Sequence, residues 1–347
     1  MKKAFVTGGA GFVAQHLVAL LVKEGYEVTC LVSSGKNTSS IESLPVKIIR
    51  GDLKKKEELT GIIPEHSLVF HCYSLSPGAH ATEEVYYQEN VLSTKNLLEE
   101  CEKSSIKKLM YISSCSIISP NVTKNITEDT PPSPDNFYGK SKLEAEELIK
   151  RYHQKHGLTT IVLRLSTMFG PGMHPNTSSV RLFKMVQKPI FPMVGAGTGL
   201  YEFSYVKNIA EGIYLASQKI EKGLVVFNIA DLKKISFREL IMIIAKQSNP
   251  KLMIIHLPHH LAMAVGYIGD IITKITGKRF PFRTRTVRGV LGGWVADPSK
   301  AIRTIGLQQR YSVDEGIKET MEWLTSKGLI KISRGLIKKS ADQSHER

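Results

Sequence analysis

The sequence predicts an α/β chain built on a doubly wound parallel sheet, with a smaller, mostly helical substrate lobe towards the C-terminus. Two observations predict it. Through the first half of the 347 residues, short β-branched runs alternate with longer amphipathic stretches, and the runs are apolar throughout, as strands covered on both faces are. The first run is also followed at once by a glycine-rich turn that opens a helix.

Taken in order, residues 3–7 (KAFVT) read as a strand and residues 11–25 (GFVAQHLVALLVKEG) as the helix after it. Strand-like EVTCLV, VKIIRGDL and LVFHCYS follow, then helical ENVLSTKNLLEECEKS, strand KKLMYISS, a helix over 138–156 and strand TTIVLRLS. From Met168 the pattern loosens around the Gly and Pro of MFGPGMHPN and FPMVGAGTG. A strand-helix pair in EFSYVKNIAEGIYLASQ and a strand LVVFNIA return to the regular plan. Past Asp231 the chain reads as mostly helical, broken at Pro250, Pro258 and Pro281. The lobes therefore interleave: residues 1–170 and 206–232 form the dinucleotide-binding part, 171–205 and 233–330 the lobe, and 331–347 a basic, flexible tail.

Composition narrows the function classes. Apolar content of 42% and charged content of 23% are those of a globular protein, and no repeat is visible. Cys30, Cys72, Cys101 and Cys115 have no metal or redox spacing and read as reduced thiols. The first strand begins almost at the initiator, with no room for a signal peptide, so a cytoplasmic protein is expected. The formal charge of +15 suits a solvated surface first, then anionic cofactor phosphates or an anionic membrane face. No zinc-finger spacing, RNP motif or basic region with heptads is present, so nucleic acid is not an expected partner.

Two stretches bear on membranes. Residues 252–269 contain no Asp, Glu, Lys or Arg, but Pro258, three histidines and two glycines interrupt them; a buried or interfacial helix is expected rather than a spanning one. The stretch 327–339 (KGLIKISRGLIKK) carries five positive and no negative charges. It suits either contact with an anionic bilayer surface or a frayed basic helix.

The chemistry-bearing residues fall into two groups. In VTGGAGFVAQHL, Gly8, Gly11 and Ala14 stand where a tight turn brings backbone close to a pyrophosphate at a helix N-terminus, with Phe12 and Val13 in the first turn. The second strand ends Leu31-Val32-Ser33-Ser34-Gly35-Lys36 without a carboxylate, a slight preference for NADP over NAD with Ser33 and Lys36 near the extra phosphate; Lys36 reads equally as a solvated loop lysine. Asp52, with Leu53 after it, stands where it can take the adenine amino group or cap a turn.

In the second group, Tyr138 and Lys142 lie four apart on one helix face. A phenol titrates near 10, too high for a base at neutral pH, and a nearby ammonium is expected to lower it. Ser114, at the end of KKLMYISS, can return opposite that phenol to bind a substrate oxygen. The histidines His256, His259 and His260 follow no metal-ligand spacing, and no metal is expected.

These motifs, with GDL (51–53), NVLSTKNLLEEC (90–101), LRLSTMFGPG (163–172), YVKNIAEG (205–212) and ADPSKAIRTIGL (296–307), make residues 3–329 similar to the extended short-chain dehydrogenases/reductases, the superfamily of NAD-dependent epimerases, dehydratases and hydroxysteroid dehydrogenases. The resemblance implies a Rossmann fold, NAD or NADP, a homodimer through paired helices, Ser114, Tyr138 and Lys142 as catalytic groups, and Asn90 beneath them. Cys115-Ser116 stand where the dehydratases carry Asp-Glu. Thr167 and Tyr201-Glu202 stand where nucleotide-sugar epimerases carry Asn and Arg-Asp, and Tyr73 replaces a small residue beside the nicotinamide. The pattern resembles 3β-hydroxysteroid dehydrogenases and dihydroflavonol-reductase-like enzymes more closely, which implies an apolar alcohol or ketone. The alternatives are a nucleotide-sugar epimerase and a non-catalytic cofactor-binding scaffold.

Overall fold

The strands that the sequence marks as apolar on both faces are the buried ones. In the computed structural model, which describes residues 2–331 apart from 78, 80, 120–124, 278–279, 281 and 293–294, seven strands form one parallel sheet. They are β1 (Lys2–Thr7), β2 (Tyr26–Val32), β3 (Val46–Arg50), β4 (Leu68–His71), β5 (Lys108–Ser114), β6 (Thr159–Leu165) and β7 (Leu224–Ile229). Their spatial order is β7-β6-β5-β4-β1-β2-β3. The order reverses beside β1, where the chain leaves the sheet in opposite directions and opens a crevice at the carboxyl ends of β1 and β4. Ala4, Phe5 and Val6 are fully buried, and side chains of the size of Phe5 and Val6 each contribute about 1.5–3 kcal/mol on burial.

Two helices decide where the chemistry sits. The helix α1 (Phe12–Lys23) follows the glycine turn, with no acidic residue in its first turn. The helix α3 (Phe137–His156), which follows α2 (Ser93–Lys103) in the chain, is started by Asn136, whose side chain accepts from the Gly139 amide at 2.9 Å. It ends at Gly157, with φ +69°, after a last turn bearing His153, Lys155 and His156. Tyr138 is thereby fixed in the first turn of a long, capped helix. A further helix, α4 (Val206–Lys219), returns to the sheet with β7 and packs its Ile209, Ala210, Ile213 and Ala216 into the same core as α1.

The lobe has its own core of Phe169, Phe183, Phe203, Tyr205 and residues of the helices Phe237–Ser248 and Val313–Ser326. Two expectations change here. Residues 252–269 are not one buried helix: the strand Met253–Leu257 pairs with Ile190–Val194, and Pro258 starts a separate helix, α5 (His259–Thr276), whose large side chains face outward. Ala301, Ile305 and Leu307 pack into the sheet core, so this part of the C-terminal segment belongs with the dinucleotide-binding body rather than the lobe. The tail beyond 331 lies outside the described residues. Among the described residues, no helix is long and apolar enough to cross a membrane.

Candidate active site

The turn after β1 is built as its glycines require. Gly8 has φ +66°, and its amide donates to the Leu31 carbonyl at 2.8 Å. A β-carbon there would lie 2.8 Å from the Tyr73 Cα, because the chain leaving β4 passes directly over the turn. The Gly11 amide closes the turn onto the Gly8 carbonyl at 2.7 Å. The Phe12 and Val13 side chains pack partly against the lobe core, so what they can offer an anion is their backbone amides, which a first helical turn leaves without intrahelical partners.

The ends of β2 and β3 gather more charge than the sequence suggested. Lys36 is exposed, and its carbonyl accepts from Arg50 Nη1 at 2.6 Å; the same nitrogen reaches the Ser33 carbonyl at 3.3 Å. Asp52 takes its turn-capping role, its Oδ1 accepting from the Lys54 amide at 3.0 Å. The Leu53 side chain is withdrawn into the core and its carbonyl is bonded by Asn96 at 2.9 Å, leaving backbone alone to face a ligand. Tyr73 turns towards these strand ends and not towards Tyr138. Its hydroxyl donates to Glu89, and burial, reinforced by Glu89, holds its pKa far above the ordinary phenol range. Lys54 Nζ lies 2.5 Å from the same carboxylate. Glu89 was missed in the sequence, although its place directly before Asn90 was the available signal.

Ser114, Tyr138, Lys142 and Asn90 do converge. Burial raises the Tyr138 phenol to about 12, while hydrogen bonding by Ser114 and, more weakly, Ser74 pulls it down. Ser74 was not anticipated; it lies in the segment after β4, next to the substituted Tyr73. Asn90 is 1% exposed, within a π-helical turn, Tyr87–Leu92, that leads into α2. Its Oδ1 accepts from the Leu75 amide at 2.8 Å and the Ser74 hydroxyl at 3.1 Å, and its Nδ2 donates to Ser141 Oγ at 2.8 Å. Ser141 in turn donates to the Tyr138 carbonyl at 2.9 Å. Asn90 thus ties the β4 segment to the first turn of α3.

Lys142 corrects one expectation. Its Nζ donates to the Ile112 carbonyl at 2.8 Å and sits over the Tyr111 ring, and burial lowers its own pKa to about 7. It is not among the groups that move the Tyr138 pKa, so in this state the phenol is a neutral donor rather than an acidified base. Behind it His71, hydrogen-bonded to Thr7 and Thr94 at 2.7 and 2.9 Å, is driven by burial to about 3 and stays neutral.

The remaining candidates separate cleanly. Burial raises the Cys115 thiol well above its usual range, so it is inert. His256 bonds the Gly195 carbonyl at 2.7 Å, and among the described residues no cluster of His, Cys, Asp or Glu is able to hold a metal ion. In the lobe, Glu202 accepts from the Ala296 amide, and burial raises its carboxyl to about 7.

A family model described as "NAD dependent epimerase/dehydratase family" matches residues 4–230. Among curated proteins, the chain is 31% identical over 243 residues to N-acetyl-alpha-D-glucosaminyl-diphospho-ditrans,octacis-undecaprenol 4-epimerase of Escherichia coli O157:H7, covering 69% of this chain and 72% of that protein. It is 26% identical to the decarboxylating sterol-4-alpha-carboxylate 3-dehydrogenase of Mus musculus, covering 92% of this chain and 90% of that one. Among solved structures, UDP-glucuronic acid 4-epimerase from Bacillus cereus in complex with NAD superposes with a TM-score of 0.73 at 25% identity, covering 94% of this chain and 99% of that chain.

Proposed function

The chain belongs to the NAD dependent epimerase/dehydratase family, and within it we propose that this NAD(P)-dependent enzyme of the extended short-chain type interconverts a secondary alcohol and a ketone or aldehyde on an apolar, sterol-, isoprenoid- or flavonoid-like substrate. The observation that carries the reading is the buried Tyr138 phenol, hydrogen-bonded by Ser114 and Ser74 in the first turn of α3.

The crevice suits a dinucleotide: a Cβ-free turn meets a helix start without carboxylates. Gly8, Gly11 and the amides of Phe12 and Val13 would hold its pyrophosphate, Ser33 and Tyr73 its adenosine end, and Lys142 its second ribose. When bound, the nicotinamide supplies or accepts the hydride. In the reducing direction Tyr138 passes its phenolic proton to the substrate oxygen while Ser114 donates a hydrogen bond that fixes that oxygen; oxidation reverses both. Asn90 keeps the two supporting segments in register, and Lys142, held on the Ile112 carbonyl, braces the helix that carries Tyr138 against β5.

Charge in the lobe supports a substrate without phosphate. Glu202 is a buried carboxyl, Arg283 is paired with Asp270 at 2.9 Å, and Arg285 is paired with Asp135. Those two guanidiniums are already neutralised and would offer a diphosphate little. The test is incubation with NAD+ or NADP+ and a panel of sterols, flavonoid-like alcohols and UDP-sugars. Reduced-nicotinamide absorbance appearing with apolar alcohols alone is the expected result.

The likeness to a 4-epimerase of an undecaprenol-linked sugar favours a second reading, in which hydride returns to the same substrate. Conversion of a polyprenol-linked sugar with no net reduced cofactor would select it. We also propose a homodimer through the groove where Tyr87, Val91 and Leu92 face Leu143 and Leu148, apolar positions on paired helices; light scattering that returns a monomer would exclude it.

A further inference from the structure

Helix α5 is amphipathic with its faces reversed. The residues that touch the body are small: Ala262, Gly266 and Gly269 are buried. A β-carbon on Gly266 would lie 3.0 Å from the Thr284 amide nitrogen, and one on Gly269 would lie 2.0 Å from the Phe282 carbonyl oxygen. The backbone of α5 is therefore pressed against residues 282–284 by its small side chains. Its large ones point away: Leu261 is 50% exposed, Val265 41%, Tyr267 55%, Ile268 55%, Ile271 57% and Ile275 77%. Burial of those side chains within the chain would have been the ordinary outcome, and a row of this length on one helix marks an interaction surface.

We propose that α5 is a monotopic docking helix that lays this row into the surface of an anionic phospholipid bilayer. The charges select that occupant. The chain carries +15, and the one acid on α5, Asp270, is turned back onto Arg283 and Thr284. Lys274, in the last turn, and Lys251, before the preceding strand, are exposed. An anionic surface attracts so cationic a chain, and the exposed Lys274 and Lys251 beside the apolar row give that attraction a local partner. The row is a single face, and no described helix qualifies as a span, so α5 lies along the interface. Resting on the proposed function only for its purpose, the docking gives an apolar substrate a route into the lobe.

The test is co-sedimentation of the full chain with vesicles of phosphatidylglycerol in phosphatidylcholine, against pure phosphatidylcholine, without substrate or cofactor. The protein is expected to sediment with the anionic vesicles and to be released by high salt. The combined variant L261S/I268S/I271S/I275S is expected to lose binding by about tenfold or more. Lys274→Glu serves as the milder variant should the fourfold one fail to fold, with weaker anionic-vesicle binding expected. A chain ending at residue 331 is expected to keep α5-dependent binding. The proposal is overturned if the intact protein stays in solution, if the α5 variants bind as it does, or if the fourfold variant converts a lipid-free oligomer to a smaller species, which would make a second copy the occupant. Because vesicle binding is read apart from turnover, absence of alcohol oxidation with intact binding counts against the enzymatic reading alone.

Discussion

The ammonium of Lys142 donates to the backbone carbonyl of Ile112 at 2.8 Å, one helical turn from Tyr138, and both side chains are buried. The lysine is therefore anchored to β5, the strand that ends in Ser114. The helix that carries Tyr138 and the strand that ends in Ser114 are thus joined by one buried lysine.

Lys142 should lower stability over a defined pH range. Its folded pKa, near 7, lies below that of an unfolded lysine, so the unfolded chain binds more protons between about pH 7 and 10.5 and stability from this group rises with pH across that window. Below about pH 7 the penalty is constant. In urea titrations at several pH values, Lys142→Met is expected to remove that slope; an unchanged slope would mean the ammonium is not desolvated.

Replacing Tyr138 with Phe removes the proton donor and keeps the ring that packs edge-on near Tyr86 at 6.2 Å. Turnover is expected to fall by about 10²–10⁴-fold, with nicotinamide cofactor affinity nearly unchanged. Stopped-flow turnover alongside a cofactor titration separates the two, and retained turnover would remove Tyr138 from the chemistry.

Gly139 has a steric task. A β-carbon there would sit 2.3 Å from the Ser116 carbonyl oxygen, which is backbone and cannot swing away. Gly139→Ala should push the first turn of α3 off the Ser114–Ser116 turn and lower kcat by roughly 10- to 100-fold. Its cofactor affinity should change little, since the glycine turn at Gly8 and Gly11 is elsewhere.

Glu89 bears on the choice between NAD and NADP. Its carboxylate is held by Tyr73 and Lys54, and the Tyr73 hydroxyl also reaches Ser33 at the end of β2, where the extra phosphate of NADP is proposed to lie. Glu89→Gln removes a negative charge and frees Lys54, so the NADP:NAD affinity ratio should rise by roughly three- to tenfold. Calorimetric titration with both oxidised cofactors measures it, and a ratio that falls would place the 2′-position elsewhere.

Beneath the site, Arg164 of β6 meets Glu146 of α3 at 2.9 Å, with Ser113 of β5 donating to the same carboxylate, and both charged side chains are 8% exposed. Glu146→Gln leaves a buried guanidinium without its counter-charge and should cost about 3–5 kcal/mol, whereas Glu146→Leu with Arg164→Met should recover much of it. Chemical denaturation of the three variants decides between a stabilising pair and a merely tolerated one.

The seven strands, the glycine turn and the Tyr138-Lys142 helix were legible in the sequence because each is specified locally, by two-sided apolar runs, by a glycine-rich turn directly after a strand, and by a helical period over 138–156. The likeness of the short motifs also carried the pairing of Ser114 with Tyr138. Local reading failed where a side chain's surroundings come from distant chain. The Lys142 ammonium lies four residues from the phenol, and only the strand behind it showed that burial, not the phenol, governs its proton.

Sequence by itself determined the sheet and, through the short motifs, the family, since periodicity and turn geometry act within a few residues of one another. Tertiary structure alone decided that Tyr73 meets Glu89, that Asn90 and Ser141 link two segments fifty-one positions apart, and that α5 turns its large apolar residues outward. Desolvation and contact are set by whatever the rest of the chain packs against a residue, and that packing partner is not encoded in the residue's own neighbourhood.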